Sequence, residues 1–320
     1  MMMPYDRNAA MEALVRAIPY LRLFRGTTFV VKVGGGSCAD AATRDRLIEQ
    51  IAVLRELGIR IVLVHGGGPQ TTELCGRLGI ETPFVGGRRV TSPQALEAAV
   101  MALNGTVRTA LLSAFRRASV PAVGLSGLDA GLVQALQRLP QRAEIDGVQT
   151  AVDYGMVGDI QLVQPDALRA LLDRSMVPVV SPLCGDPDGR VLNVNADTVA
   201  AGIAQALGAQ KLVFVTSAPG LLARHDDVTS LISYTDIKGL EQLEQQGAIT
   251  TGMLPKVLAT KRSLQNGVTR VHMVGHRVHY GLLVEILTNE GAGTLIVRDM
   301  TELSPSEMPS PTVRAKAANE

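Results

Sequence analysis

The chain has 320 residues, 46% of them apolar and only 3% aromatic, and its formal net charge of +1 includes no basic block. That balance argues against nucleic acid as the main partner and leaves Val, Leu, Ile and Ala to fill the core. Cys38, Cys75 and Cys184 are few and far apart, which excludes a disulfide framework or a paired-cysteine zinc site and fits buried thiols in a reduced, cytoplasmic setting.

From the start, charges at Asp6, Arg7, Glu12 and Arg16 break any signal-peptide core, and no uncharged run reaches the ~18 residues of a membrane span. Met11, Leu14, Val15, Ile18, Leu21 and Phe24 recur at helical spacing, with Pro19 bending or dividing the helix. This segment, 1–26, is not needed to close a βαβ unit, so a subunit contact and packing on its own domain both stay open. A strand over Thr28–Val33 runs into the glycines 34–36, and a helix over about 42–57 ends at Gly58. A second strand, Arg60–Val64, runs into "HGGGPQ" and another helix. Strand, loop and helix repeated at this spacing predict a three-layer αβα sandwich with a mainly parallel central sheet.

A long helical region covers 93–117, followed by strands at "PAVGLS" and Val177–Ser181 and by hairpin-turn chemistry over Gly185–Gly189. The alternation resumes with a helix near Asp197, a strand from Lys211, a helix over 256–265, a strand "RVHMV", a helix over 282–287 and a last strand "TLIVR". These divide into lobes 27–182 and 183–299. The end, 300–320, is rich in Pro, Ser and charge without an apolar face, and reads as a disordered tail.

Three glycine-bearing turns follow strands: Gly34–Gly36, Gly66–Gly68 and "TSAPGLL" from Thr216 to Leu222. Such turns at the carboxyl ends of parallel strands bind ligands, and glycine lets the backbone approach an anion. A Walker-type GxxxxGK[ST] is missing, and "GGGSCA" lacks the last glycine of a dinucleotide fingerprint. Lys32 stands between Val31 and Val33 at the mouth of the first turn, and Lys256 stands at a helix start in "TTGMLPKV". A lysine in an otherwise buried strand wants an anion. Asp197 is either a helix N-cap or a functional carboxylate. Asn193 and Asn195 alternate with Val194 and share one side of the chain. With the Arg89 guanidinium they offer a grip for a carboxylate substrate.

Taken together these motifs resemble the amino acid kinase family, in its branch that phosphorylates N-acetyl-L-glutamate. "VVKVGGG", "VLVHGGGPQ", "FVGGRRVT", "VGLSGLDAGL", "YGMVGDI", "LNVNADTVAAGIAQALGAQKLVFVTSAPGLL" and "GMLPKV" occur in the family's order over about residues 9–298. The resemblance implies ATP-dependent phosphorylation of the γ-carboxylate of N-acetyl-L-glutamate, the second step of arginine biosynthesis, with Mg²⁺ riding on the ATP phosphates. It implies that Lys32 and Lys256 neutralise the phosphoryl group in flight and that Asp197 holds the two lysines. Gly34, Gly35 and Gly36 would face the nucleotide phosphates. Gly66, Gly67 and Gly68 would face the phosphoryl group and substrate, and Arg89, Asn193 and Asn195 the substrate. Thr216, Ser217, Gly220, Leu221, Gly252 and Met253 would line the nucleotide.

The segments "IPYLRLFRG" and "HYGLLVEILTNEGAGT" are similar to those of the arginine-inhibited, hexameric branch. That likeness implies a dimer, or a hexamer built as a trimer of dimers, with arginine held by Tyr20, Lys211, His279, Glu285 and Gly291. A PII-type signalling protein is a further partner this branch admits. Ser217 stands where the family usually has aspartate, and Gly86 and Leu128 where it commonly has aspartate and lysine. A different N-acyl acidic amino acid as acceptor, or a catalytically silent arginine-sensing module, is the alternative.

Overall fold

The computed structural model describes residues 7–145, 148–224, 226–250, 252–288 and 291–303. The chain enters on α1 (Arg7–Phe24), which runs through Pro19 as one helix. Phe24 anchors its end, buried and edge to face with Phe29 at 5.3 Å between ring centres. Met11, Val15, Ile18 and Leu23 of the same helix are exposed.

Two strand–turn–helix units follow: β1 (Thr28–Val33), α2 (Gly35–Ala39) and α3 (Ala41–Glu56), then β2 (Arg60–His65) and α4 (Gly68–Arg77). The glycine turns open straight into helices, with Gly34 and Gly67 as N-caps of α2 and α4. A hairpin of β3 (Phe84–Val85) and β4 (Arg88–Arg89) leads to α5 (Pro93–Val100) and α6 (Arg108–Arg117). Between these two helices Met101–Val107 is π-helical, so 93–117 is one continuous helix with a widened middle. Among the described residues this is the helix long and apolar enough to cross a membrane. In this fold Leu96, Leu103, Val107, Leu111 and Phe115 are buried against the protein's own core.

The middle of the chain supplies β5 (Ala122–Ser126), β6 (Val133–Gln137), β7 (Gln141–Ile145), β8 (Val148–Val152), β9 (Gly158–Val163), α7 (Asp166–Asp173), β10 (Val177–Ser181), β11 (Leu183–Gly185) and β12 (Val191–Asn193). The last part supplies α8 (Ala196–Leu207), β13 (Lys211–Thr216), β14 (Tyr234–Asp236), α9 (Ile237–Gln245), α10 (Leu254–Gln265), β15 (Arg270–Gly275), α11 (Gly281–Leu287) and β16 (Thr294–Val297).

Eight strands form the central sheet in the order β14-β16-β15-β13-β1-β2-β10-β5. Neighbours are parallel except β15 and β16. Helices cover both faces, which is why the inner strands are continuous apolar runs. Val30, Val64, Leu212 and Phe214 pack with α8 and α10 on one face. Phe29, Val31, Val33 and Leu63 pack with α3, α6 and α11 on the other. The expected three-layer sandwich is therefore observed.

A second sheet, β12-β11-β6-β9, was not anticipated. Because β11 pairs with β6, residues 183–193 sit with the first half of the chain, and a division at 182/183 would cut this sheet. Of the expected tail, Met300–Glu302 forms a short 3₁₀ turn and Leu303 packs with Leu295 and Val297. Residues 304–320 lie outside the described residues.

Candidate active site

Alternation along β1 puts Lys32 on the same face as Val30, under α8. Its Nζ lies 2.7 Å from Asp197 Oδ1, with the lysine side chain 7% exposed. Lys256, from the first turn of α10, places its Nζ 3.3 Å from Asp197 Oδ2. Asp197 is at the second position of α8 and is not its cap. Asn195 caps the helix, its Oδ1 accepting from the N–H groups of Asp197 at 2.8 Å and Thr198 at 3.2 Å. The Asp197 carboxylate is thereby left to the lysines. Burial would raise its pKa, but the two ammonium groups outweigh burial and hold it below the usual carboxylate range. Two cations against one anion leave one positive charge uncompensated at the sheet's carboxyl edge.

The glycine turns meet beside this cluster. Gly66 N–H donates to Val33 O at 2.9 Å, and Gln70 Nε2 donates to Gly35 O at 2.8 Å. A Cβ on Gly35 would lie 2.7 Å from Pro69 Cδ, and one on Gly67 would lie 2.5 Å from Leu103 Cδ2. Those two glycines let the turns and the π-helical segment pack together. A Cβ on Gly36 or Gly68 meets nothing within 4 Å, so these two positions border open space. His65, just before the second turn, is fully buried with Nδ1 3.1 Å from Gly66 O. Burial pushes its pKa down to about 4, so it is a neutral anchor for the turn at pH 7.

Arg89 reaches the second turn from β4. Its guanidinium donates to Gly68 O at 3.1 Å and Thr72 Oγ1 at 2.6 Å, and lies 4.7 Å over the Phe84 ring. Arg89, Asn193 and Asn195 line one cavity of about 280 Å³ together with Arg88, Arg138 and Thr198. The capping bonds occupy the Asn195 carbonyl and leave its NH₂ for the cavity.

Thr216 ends β13, the strand beside β1, and its Oγ1 donates to Ala218 O at 2.6 Å to shape the following turn. Leu221 N–H donates to Thr294 Oγ1 at 2.8 Å, and Gly220 lies so close that a Cβ would sit 2.6 Å from the same oxygen. Ser217 is exposed at the tip. Gly252 and Met253 lead directly into the helix carrying Lys256.

Of the five residues expected to hold arginine, Tyr20, Lys211, Glu285 and Gly291 line one cavity between α1 and α11. His279 is separated from them: it lies in another cavity, its ring 4.1 Å from that of Tyr280, because the turn after β15 carries it past the sheet's far edge. The histidine at the first cavity is His272, missed by sequence reasoning. Its Nε2 is 2.9 Å from Lys211 Nζ and its Nδ1 is 2.7 Å from Glu285 Oε1. A lone polar residue inside the apolar strand "RVHMV" was the available signal, since a buried polar group implies a partner. Burial would raise the Glu285 pKa, yet His272 and the N–H groups of Ala292 and Gly293 keep it low.

All three cysteines are buried and free. Burial pushes the Cys38 and Cys184 thiols up to about 12, so they are unreactive packing groups.

A mainly parallel sheet with two cations on one carboxylate beside paired glycine turns is the architecture of a phosphoryl-transfer protein. Residues 27–275 match the model of the amino acid kinase family, and the chain belongs to that family. Within it, the chain is 46% identical over 290 residues to the acetylglutamate kinase of Myxococcus xanthus (strain DK1622), covering 90% of this chain and 94% of that one. Its structure is similar to N-acetylglutamate synthase from Neisseria gonorrhoeae complexed with coenzyme A and N-acetyl-glutamate. The TM-score is 0.77 at 28% identity, with 96% of this chain and 68% of that one covered. The same synthase complexed with coenzyme A and L-arginine gives a TM-score of 0.78 at 28% identity over 90% of this chain and 65% of that one.

Proposed function

We propose that this chain phosphorylates the γ-carboxylate of N-acetyl-L-glutamate with ATP, the second step of arginine biosynthesis. The observation that carries this reading is the Lys32–Asp197–Lys256 cluster set against the two glycine turns. The acceptor is a carboxylate of pKa about 4.3, already ionised at neutral pH, so the chain needs no general base to activate it. The neutral, buried His65 accords with that. What remains to be supplied is in-line positioning and compensation of spread negative charge. Lys32 and Lys256 supply the charge, Asp197 fixes their separation, and the backbone N–H groups of Gly34–Gly36 and Gly66–Gly68 supply donors. Arg89 and Asn193 hold the second carboxylate, with the Asn195 NH₂ beside them. The turn Thr216–Leu221 and the Gly252–Met253 entry to α10 line the nucleotide.

ATP brings the phosphoryl group and, with it, Mg²⁺ to shield the phosphates. Asp197 is engaged by both lysines, so the metal is assigned to the nucleotide phosphates.

Two further layers belong to the same reading. Arginine is proposed as an effector at the cavity of Tyr20, Lys211, His272, Glu285 and Gly291, supported by their convergence and by the arginine complex of the related synthase. The exposed apolar side chains of α1 support a role in assembly, a dimer or a hexamer of dimers, because an unpartnered apolar stripe marks a contact surface. A cytoplasmic setting and a PII-type regulator complete the proposal.

The test is acyl phosphate trapping with hydroxylamine, offering ATP with N-acetylglutamate, N-acetylaspartate, glutamate or aminoadipate. Turnover with N-acetylglutamate is expected. Turnover only with another acceptor would move attention to Gly86 and Leu128, and none with any would overturn the reading.

A further inference from the structure

The turn that carries His279 away from the effector cavity builds a cavity of its own. The end of β15 and residues 275–280 face the first turns of α3 across about 200 Å³. Its floor is apolar, from Val215 and Val274, and lies on the α3 and α11 face of the sheet. Lys32, Asp197 and Lys256 lie on the opposite, α8 face.

Three features of its rim point to a ligand. First, Arg46 and Arg277 both line it. Among the described residues Arg277 makes no ion pair, and Arg46 donates to the neutral Thr43 Oγ1 at 3.3 Å and acts on the exposed Asp40 carboxylate only at longer range. Two guanidinium forks outside any close ion pair suit a shared oxyanion. Second, Tyr280 holds a left-handed backbone, φ 50° and ψ 25°, which a bulky residue adopts only under constraint from its surroundings. It stands at the N-cap position of α11 but its side chain makes no capping bond; Gln50 supplies one instead, its Oε1 accepting from Leu282 N–H at 3.0 Å. Tyr280 is 54% exposed. His279 lies beside it, ring centres 4.1 Å apart and planes tilted by 56°, so the exposed Tyr280 ring is the surface a planar group can meet. Third, among the described residues Glu49 is the carboxylate lining the cavity, and no ion pair engages it there.

We propose that this cavity binds a small anion with a planar, N–H-bearing ring, the chemistry of a nucleoside monophosphate. Arg46 and Arg277 grip the phosphate, the exposed Tyr280 ring stacks on the ring with His279 beside it, and Glu49 accepts from its exocyclic amine. Binding here requires no catalysis and is independent of the kinase reading. The back wall touches the proposed nucleotide turn, since His276 N–H donates to Thr216 O at 2.9 Å.

The test is calorimetric titration of the full chain with AMP, adenosine and inorganic phosphate. AMP is expected to bind more tightly than either fragment. An Arg46→Ala/Arg277→Ala double variant should lose at least about tenfold in AMP affinity, the scale of charge-assisted bonds to a phosphate. Tyr280→Gly should weaken AMP while leaving the melting temperature unchanged or higher, because glycine relieves the left-handed strain. Lys32→Ala should keep AMP affinity within about twofold of the parent, since it touches only the opposite face. No AMP binding, or binding lost in Lys32→Ala but intact in the double arginine variant, would overturn the assignment.

Discussion

The Lys32 ammonium and the Asp197 carboxylate meet at 2.7 Å, both almost fully withdrawn from water, and Lys256 shares the same acid. Replacing Asp197 by Asn keeps the shape and removes the charge. Two ammonium groups are then left facing each other without an anion. Breaking a buried pair from one side costs on the order of 3–5 kcal/mol, so the melting temperature should fall clearly. Turnover should fall further than stability alone explains, by on the order of 10²–10³, because the lysines lose their spacing. Thermal melts and the trapping assay read the two effects separately.

The same carboxylate should leave a signature in the acid limb of stability. Its native pKa is held below the unfolded value of about 3.9, so the unfolded chain binds more protons there and stability rises with pH. The contribution is complete above the unfolded pKa and is lost as pH falls through the native one. The gap in urea midpoint between the parent and Asp197→Asn should therefore be constant from about pH 7 to 5 and shrink below about pH 4. A gap that holds steady to the lowest pH at which the chain folds would remove Asp197 from this role.

Gly67 and Gly68 are adjacent but should fail in different ways. A Cβ on Gly67 would press on Leu103 Cδ2 at 2.5 Å, so Gly67→Ala should cost ~1–3 kcal/mol of stability through overpacking. A Cβ on Gly68 meets no protein atom within 4 Å. Gly68→Ala should melt at or slightly above the parent temperature, since alanine favours the helix it begins. Its turnover should nevertheless fall, because the new methyl enters the space reserved for phosphate. Unchanged kinetics in Gly68→Ala would show that the open side of this turn is not the reaction cleft.

The sequence made the central sheet legible because β1, β2, β10 and β13 are buried on both faces and so read as unbroken apolar runs. The second sheet was hidden for the opposite reason. β6 is buried only at alternate places, and its pairing with β9 shifts register between Gln134 and Ala135, which blurs a two-residue period. α7 and α9, at 8 and 9 residues, are too short for their apolar spacing to stand out. At the site, Lys32 stood out because a cation in a buried strand is anomalous. The choice between capping and charge at Asp197 could not be made from composition. It turned on Asn195 reaching the first N–H groups of α8 before Asp197 did. The two Asn side chains looked equivalent by spacing, yet helix capping makes them different.

His272 and His279 present the sharpest case, since the family likeness pointed to one and three-dimensional placement favours the other. His272 bridges Lys211 and Glu285 at 2.9 and 2.7 Å, and Lys211 in turn lies 4.7 Å over the Phe24 ring at the end of α1. A ligand entering between α1 and α11 meets this chain of contacts, whereas His279 lies beside Tyr280 in a different cavity. His272→Phe conserves a ring but leaves Lys211 and Glu285 without their bridge. The proposed arginine inhibition should weaken at least about tenfold in that variant, the scale of losing a buried charge-assisted contact. His279→Ala should inhibit like the parent, within about twofold, because it lies beyond contact distance of the cavity. Inhibition curves for the two variants at fixed ATP and N-acetylglutamate decide the matter. If His279→Ala loses inhibition and His272→Phe keeps it, the effector site lies at the turn after β15 and not between α1 and α11.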